Sequence, residues 1–255
     1  MDRPMITNNK EEMVQIPSTD YTFHVEYRWV EGLTLDSLVQ DDAGIRYTNT
    51  YQFETPGYLM DKTEVTNAQF KEFMDASGYK PKWSENFLKH WKNGTYPSGL
   101  GNHPVYWVSI EDAKAYSSWA GKRLPTEEEW QLAAQSTDGR AWPWGNIYDA
   151  NKANMDSEET TPVGSYPEGA SPYGALDMTG NVWEWTNSTF EPYPGFKADT
   201  YKEYSEPVFY TRKVLKGGAW ATRSRMVNNS HRNFFTHERR DVLAGFRTCA
   251  AHDWI

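Results

Sequence analysis

Helical patterning in this chain stops at Gln135, although nearly half of its 255 residues follow. Three helix-start signals precede that point. Thr66-Asn-Ala-Gln69 is a capping box, with Phe70, Phe73 and Met74 on one face behind it and Gly78 as the stop. Ser109-Ile-Glu-Asp112 repeats the layout with a shorter reciprocal acid, leads Ala113, Tyr116 and Trp119, and closes at Gly121. Thr126-Glu-Glu-Glu129 follows Pro125 and turns Trp130, Ala133 and Ala134 inward. Beyond Gln135, runs such as WPWGN, PYPGF, VLKGGAW and LAGFRTCA are the pattern of short strands joined by long turns. Upstream, YTFHVEYRWVEG and RYTNTYQFETPGY alternate bulky and polar residues as half-exposed strands do. No 20–50-residue period recurs, so a solenoid is excluded. The expectation is a single α+β domain over residues 14–255 with few helices, irregular β structure and long loops, after a polar, disordered stretch at 1–13.

A chain this poor in amphipathic helices needs another source of core. It has one in 12 Trp, 16 Tyr and 11 Phe, which make up 15% of the residues while all hydrophobics reach only 38%. Flat rings bury about 150–250 Å² each. The balance of 26 Lys and Arg against 35 Asp and Glu gives a net charge of −9, which disfavours nucleic acid as a partner. Mean hydropathy is −0.81, and no run approaches the length of a membrane span. MDRPMITNNKEE lacks the apolar stretch of a secretory leader, which favours the cytoplasm if the chain truly begins there and otherwise leaves the compartment open. The lone Cys249 excludes an internal disulfide and reads as inert packing. Among His24, His90, His103, His231, His237 and His252 no pair has the i, i+4 spacing of two ligands on one helix face.

Several segments resemble the formylglycine-generating-enzyme/sulfatase-modifying-factor superfamily, a variant of the C-type-lectin-like fold. They are MDKTEVTNAQFKEF (60–73), HPVYWVSIEDAKAYSSWAGKRLPTEEEWQLAA (103–134), WPWGN (142–146), GALDMTGNVWEWT (174–186), KVLKGGAW (213–220) and AGFRTCA (244–250). The C-terminal third, FEPYPGFKADTYKEYSEPVF followed by the run from Lys213 to Ala250, is most similar to the ergothioneine-pathway sulfoxide synthase EgtB. EgtB-type enzymes are non-heme iron oxygenases that join a thiol to a trimethylated histidine and oxidise the sulfur.

The resemblance implies roles and also departures. The copper cysteines of formylglycine-generating enzymes fall, without gaps, at Thr222 and Val227, neither of which binds Cu(I), so no copper site is expected. The three iron histidines of EgtB-like enzymes belong to a separate helical domain with no counterpart here. Any Fe2+ is therefore expected from a missing domain or a partner chain. The resemblance assigns substrate binding to Asn233, Phe234 and Arg239, and a catalytic tyrosine to Tyr201, with Tyr204 next. Aromatic faces hold a quaternary ammonium that no hydrogen bond can reach. A structural Ca2+ is implied on the side chains of Asp177 and Glu184 with the carbonyls of Gly180 and Val182, a hard oxygen set. A second family calcium site begins near Asn154-Met155 but is discounted because its acidic loop is shortened. The plainer alternatives stay open: Phe234 and Phe235 as core, and Arg232, Arg239, Arg240 and Arg247 paired with local acids such as Glu238 and Asp241.

Two functions follow as expectations. One is the substrate-binding part of an EgtB-like oxidoreductase without its own iron ligands, whose activity on its own stays open. The other is a non-catalytic C-type-lectin-like module for a small-molecule or peptide ligand.

Overall fold

The computed structural model describes residues 12–28, 46–196, 203 and 206–254. The order is β1 (Met13–Ile16), β2 (Thr19–Arg28), β3 (Arg46–Thr55), β4 (Tyr58–Asp61), α1 (Asn67–Ser77), α2 (Ile110–Trp119) and α3 (Glu127–Gln135). After these come β5 (Trp183–Thr189), β6 (Lys213–Lys216), β7 (Asn233–Phe235), β8 (Ala244–Gly245) and β9 (Cys249–Ala251). The fold is mixed α+β. Among the described residues no α-helix follows Gln135, and none is long and apolar enough to cross a membrane. The expected disordered stretch falls largely at 1–11, outside the described residues, while Met13 already lies in β1.

All three helices begin at the expected capping boxes, with both reciprocal bonds made in each. Gly78 ends α1 in the left-handed conformation, which costs glycine nothing. The shorter acid in the second box has a further task. Asp112 caps Ser109 N at 2.7 Å, accepts Tyr79 OH at 2.7 Å, and holds Arg240 at 2.6 and 3.0 Å.

The alternating upstream segments pair as an antiparallel ribbon, β2 on β3, from Thr19↔Thr55 to Arg28↔Arg46. Tyr21, Phe23 and Val25 point inward, and Phe23 stacks on Tyr51 at 4.9 Å. A second sheet, β1-β4-β9, ties the start of the domain to its end through Met60↔Cys249. The third sheet, β7-β6-β5-β8, carries the C-terminal family segments, with β7 at its edge.

Rings dominate the interior. Phe70, Phe73, Tyr116, Trp185 and Phe246 anchor one cluster; Tyr21, Phe23, Tyr58 and Trp130 anchor a second; Phe190 and Phe209 anchor a third. Trp185 is fully buried and gives its Nε1 proton to Val108 O at 2.9 Å, so its polar edge is satisfied. Cys249 packs in the second cluster, where burial and then Glu129 push its thiol well above the usual range, away from nucleophilic chemistry.

His90 stacks on Tyr106 with ring centroids 4.0 Å apart, and neither of its nitrogens meets a protein partner. Burial brings it down to about 4. An imidazole held neutral in the fold and titrating near 6.5 when unfolded contributes stability present above pH 6.5 and lost as pH falls toward 4. Exchanging His90 for Phe keeps the stack and removes that titration. Urea melts at pH 4.5 and 7.5 are expected to show the wild type losing on the order of 2 kcal/mol more than the variant at the lower pH. Parallel losses in the two proteins would contradict this.

Candidate functional site

Strand β7 sorts the residues of the family segment by face. Val214↔Phe234 and Leu215↔Asn233 fix its register on β6. Phe234 stacks on Phe190 at 4.3 Å in the third cluster, so one of its ring faces is committed to packing. Asn233 and Phe235 share the other face of the strand, and the Arg239 guanidinium sits 4.6 Å from the Phe235 ring. The Asn233 side-chain oxygen Oδ1 accepts Phe234 N at 2.8 Å. Arg239 pairs with Asp241 at 2.6 Å and stays half-exposed. The structure thus aligns Asn233, Phe235 and Arg239 along one side of an edge strand and turns Phe234 to the opposite side. Tyr201 and Tyr204 lie outside the described residues.

Of the four arginines for which local pairing was the plainer alternative, only Arg239 pairs locally. Arg240 reaches Asp112, Arg247 reaches Glu184, and Arg232 reaches Glu127, each across the fold. The Arg240 and Arg247 pairs are buried, so they organise the interior rather than decorate the surface. The histidines are dispersed over the described residues. His24 meets Thr50, His103 meets Thr160, His237 meets Glu238 and His252 meets Gln15. Among the described residues no group of three or more His, Cys, Asp or Glu side chains is arranged to hold a metal ion.

Beside β7 opens a cavity of about 710 Å³, walled by Trp142, Phe190, Tyr193 and Phe196, with Arg225, His231 and Arg232 among its polar lining. Arg232 is clamped between rings, its guanidinium carbon 3.8 Å from Tyr193 and 4.3 Å from Phe190. Behind it, Glu127 accepts Tyr193 OH at 2.5 Å and lies 3.4 Å from Arg232 and 3.8 Å from Lys216. Lys216 is wholly buried, donates to Gln131 at 3.0 Å, and is lowered to about 8, first by burial. His231 is exposed toward the cavity. It is brought down to about 4 by its surroundings and then by Lys216, and stays neutral at pH 7.

This cluster was not read from the sequence. The usable signal was Lys216, a cation closing the apolar run Val214-Leu215 just before two glycines, a position where a solvated lysine is out of place.

The residues expected to hold calcium share the stretch from Asp177 to Glu184 but differ in availability. Glu184 is fully engaged: Arg247 Nε and Nη2 reach its oxygens at 2.7 and 2.8 Å, and Trp130 Nε1 adds 2.9 Å. Asp177 accepts Gly164 N at 2.5 Å. Next to it lies Glu64, fully buried, with neither oxygen meeting a donor; burial and then Asp177 push Glu64 well up, and burial also raises Asp177. Of these three buried acids only Glu184 is bonded to Arg247, and burial favours the protonated forms of Glu64 and Asp177. The rest of the run is framework. Asn181 takes Thr161 N at 3.0 Å and Asn154 Nδ2 at 3.1 Å, while Thr186 donates to Val214 O at 3.0 Å.

The positions aligned with copper cysteines are structural as well. The Thr222 hydroxyl accepts Ala219 N at 3.0 Å and closes the turn after Gly217-Gly218, while Val227 is buried.

Comparison with known proteins agrees with this framework. The hercynine oxygenase of Mycolicibacterium smegmatis is 35% identical over 247 residues, covering 84% of this chain and 58% of the relative. The formylglycine-generating enzyme of Streptomyces coelicolor is 31% identical over 215 residues, covering 64% of this chain and 67% of the relative. The chain spans about half the length of the hercynine oxygenases it matches. Among solved structures, PvdO from Pseudomonas aeruginosa superimposes with a TM-score of 0.64 at 22% identity over 94% of both chains, which speaks to the fold. The model of the sulfatase-modifying factor enzyme 1-like domain matches residues 4–252, and with the capped helices, the GNVWEW framework and the Gly-Gly turn in place, the chain belongs to that family.

Proposed function

We propose that this chain is the substrate-binding module of a hercynine-oxygenase-like oxidoreductase whose iron ligands lie on another domain or partner chain. The observation that carries the reading is the line of Asn233, Phe235 and Arg239 on one side of edge strand β7, in a chain 35% identical to a hercynine oxygenase. Iron held by the partner would supply the dioxygen chemistry. This chain's part is to hold two substrates in register. In this reading an aromatic face, Phe234 as the resemblance has it or Phe235 beside it, attracts the trimethylammonium, the Asn233 amide nitrogen donates to the betaine, and the side of the Arg239 guanidinium not bonded to Asp241 meets the carboxylate of the thiol substrate. Phe234 supports the strand from behind through Phe190. Tyr201 remains the proposed catalytic tyrosine, with no geometry attached to it.

Calorimetric titration with trimethylhistidine tests the reading. The wild type is expected to give saturable heat, and an Asn233→Ala chain to bind at least tenfold more weakly, the cost of about one hydrogen bond to a charged group. Absence of heat with the wild type, both alone and with an iron-bearing helical partner, overturns it.

Calcium on Asp177, Gly180, Val182 and Glu184 is proposed as a structural ion. What supports it is the cluster of buried acids, with Glu64 and Asp177 beside the Arg247-bound Glu184. A melting temperature several degrees higher in excess calcium than in chelator is the expected result, and identical melts count against it.

A non-catalytic ligand-binding module is the second reading. It draws on Thr222 and Val227, both committed to structure at the positions where copper-binding relatives have cysteines.

A further inference from the structure

The cavity beside β7, which Val227 also lines, has a chemistry that gives the ligand-binding reading above a ligand class, and the inference rests on that reading. Its volume of about 710 Å³ suits a small organic ligand. Its walls are flat and apolar on one side, from Trp142 to Phe190, Tyr193 and Phe196. Its charged lining is of one sign: Arg225 and Arg232 border it, and no described carboxylate does. That is unusual in a protein of net charge −9.

The two arginines differ in a useful way. Arg232 is fixed between two rings, and its acid, Glu127, is shared with Tyr193 and Lys216, so one contacting carboxylate serves two cations. Glu128 stands nearby but accepts the Tyr51 hydroxyl at 2.8 Å. Arg225 is exposed at the rim and meets no acid among the described residues, so its planar fork is free. His231 and His24 add imidazole hydrogen-bonding groups to the same lining.

We propose that this cavity binds a small carboxylate carried on a flat, apolar body, with Arg225 on the carboxylate, Arg232 supplying the fixed positive field, and Trp142 and Phe196 on the ring. A guanidinium matches a carboxylate in two parallel hydrogen bonds, and stacked rings hold the planar remainder. No helix N-terminus belongs to the lining, which sets the site apart from a phosphate cradle.

The test uses benzoate, benzamide, benzylamine and inorganic phosphate as probes, read by calorimetry and by saturation-transfer NMR. Benzoate is expected to bind saturably and at least tenfold more tightly than benzamide, with benzylamine weaker still. Arg225→Gln, at an exposed position that the fold does not use, is expected to weaken benzoate at least fivefold and leave benzamide unchanged. Trp142→Ala is expected to weaken both. No saturable benzoate binding, equal affinity for acid and amide, indifference to Arg225→Gln, or phosphate competing as well as benzoate would each overturn the assignment.

Discussion

Arg247→Met is expected to be the most damaging conservative-volume change in the chain, lowering stability by about 3–5 kcal/mol, or roughly 10 °C in melting temperature. Arg247 is fully buried and spends its guanidinium on Glu184 at 2.7 and 2.8 Å, Leu176 O at 2.9 Å, and the carbonyls of Asp61 and Lys62 at 3.2 Å. Removing it strands the Glu184 carboxylate with only Trp130 as donor, beside Asp177 and the unpartnered Glu64. A buried charge left without its partner costs several times what the intact pair contributes. The double change Arg247→Met with Glu184→Gln removes that stranded charge and is expected to recover part of the loss. Denaturant melts of the three proteins decide the matter. A single-variant loss under about 1 kcal/mol would mean that the carboxylates find another counter-charge.

Gly180→Ala is expected to cost about 2–4 kcal/mol through two separate penalties. Gly180 sits at φ +85°, where an L-residue is strained, and a Cβ placed there would stand 2.3 Å from Asn154 O. That neighbour is backbone, held by the Asn154–Gly180 bridge and by Asn181 N donating to the same carbonyl at 2.9 Å. It has no flexible end to move aside. Gly78→Ala provides the contrast, because Gly78 shares the positive φ but has open space around it. It is expected to lose only about 1 kcal/mol. Equal losses at both positions would show that backbone strain alone accounts for the effect.

The helices were legible because their determinants are local: a cap residue, its reciprocal acid or amide three places on, and an apolar stripe all lie within one turn or two. The β2–β3 ribbon was legible for the same reason, through its strict alternation. The arginine partners were not. Arg240 meets Asp112 and Arg247 meets Glu184 across 128 and 63 residues of chain, and nothing in the neighbourhood of either arginine marks the distant acid. Asp241 and Glu238 were nearer in sequence but lie on the solvent side, where pairing contributes little.

The GNVWEW run carried the family resemblance, yet most of its side chains turn out to fasten loops and strands together. The resemblance pointed to Asn233, Phe234 and Arg239, and the strand pleat puts Phe235, not Phe234, on the same face as Asn233. The aromatic cavity and its arginines needed three-dimensional assembly, because Trp142 and Tyr193 come from two other loops than the β6–β7 connection that carries Arg225 and Arg232.

The central claim, that this chain binds and orients substrates for iron held elsewhere, is tested most directly by product formation. The purified chain would be mixed anaerobically with Fe(II), trimethylhistidine and a cysteine-containing thiol, exposed to oxygen, and assayed for sulfoxide by mass spectrometry. The same mixture would be run with an iron-bearing three-histidine helical partner added. Sulfoxide only when that partner is present, and its loss on Asn233→Ala, is the predicted result. Sulfoxide from the chain and Fe(II) alone would contradict the account, because it would place the iron ligands within these 255 residues.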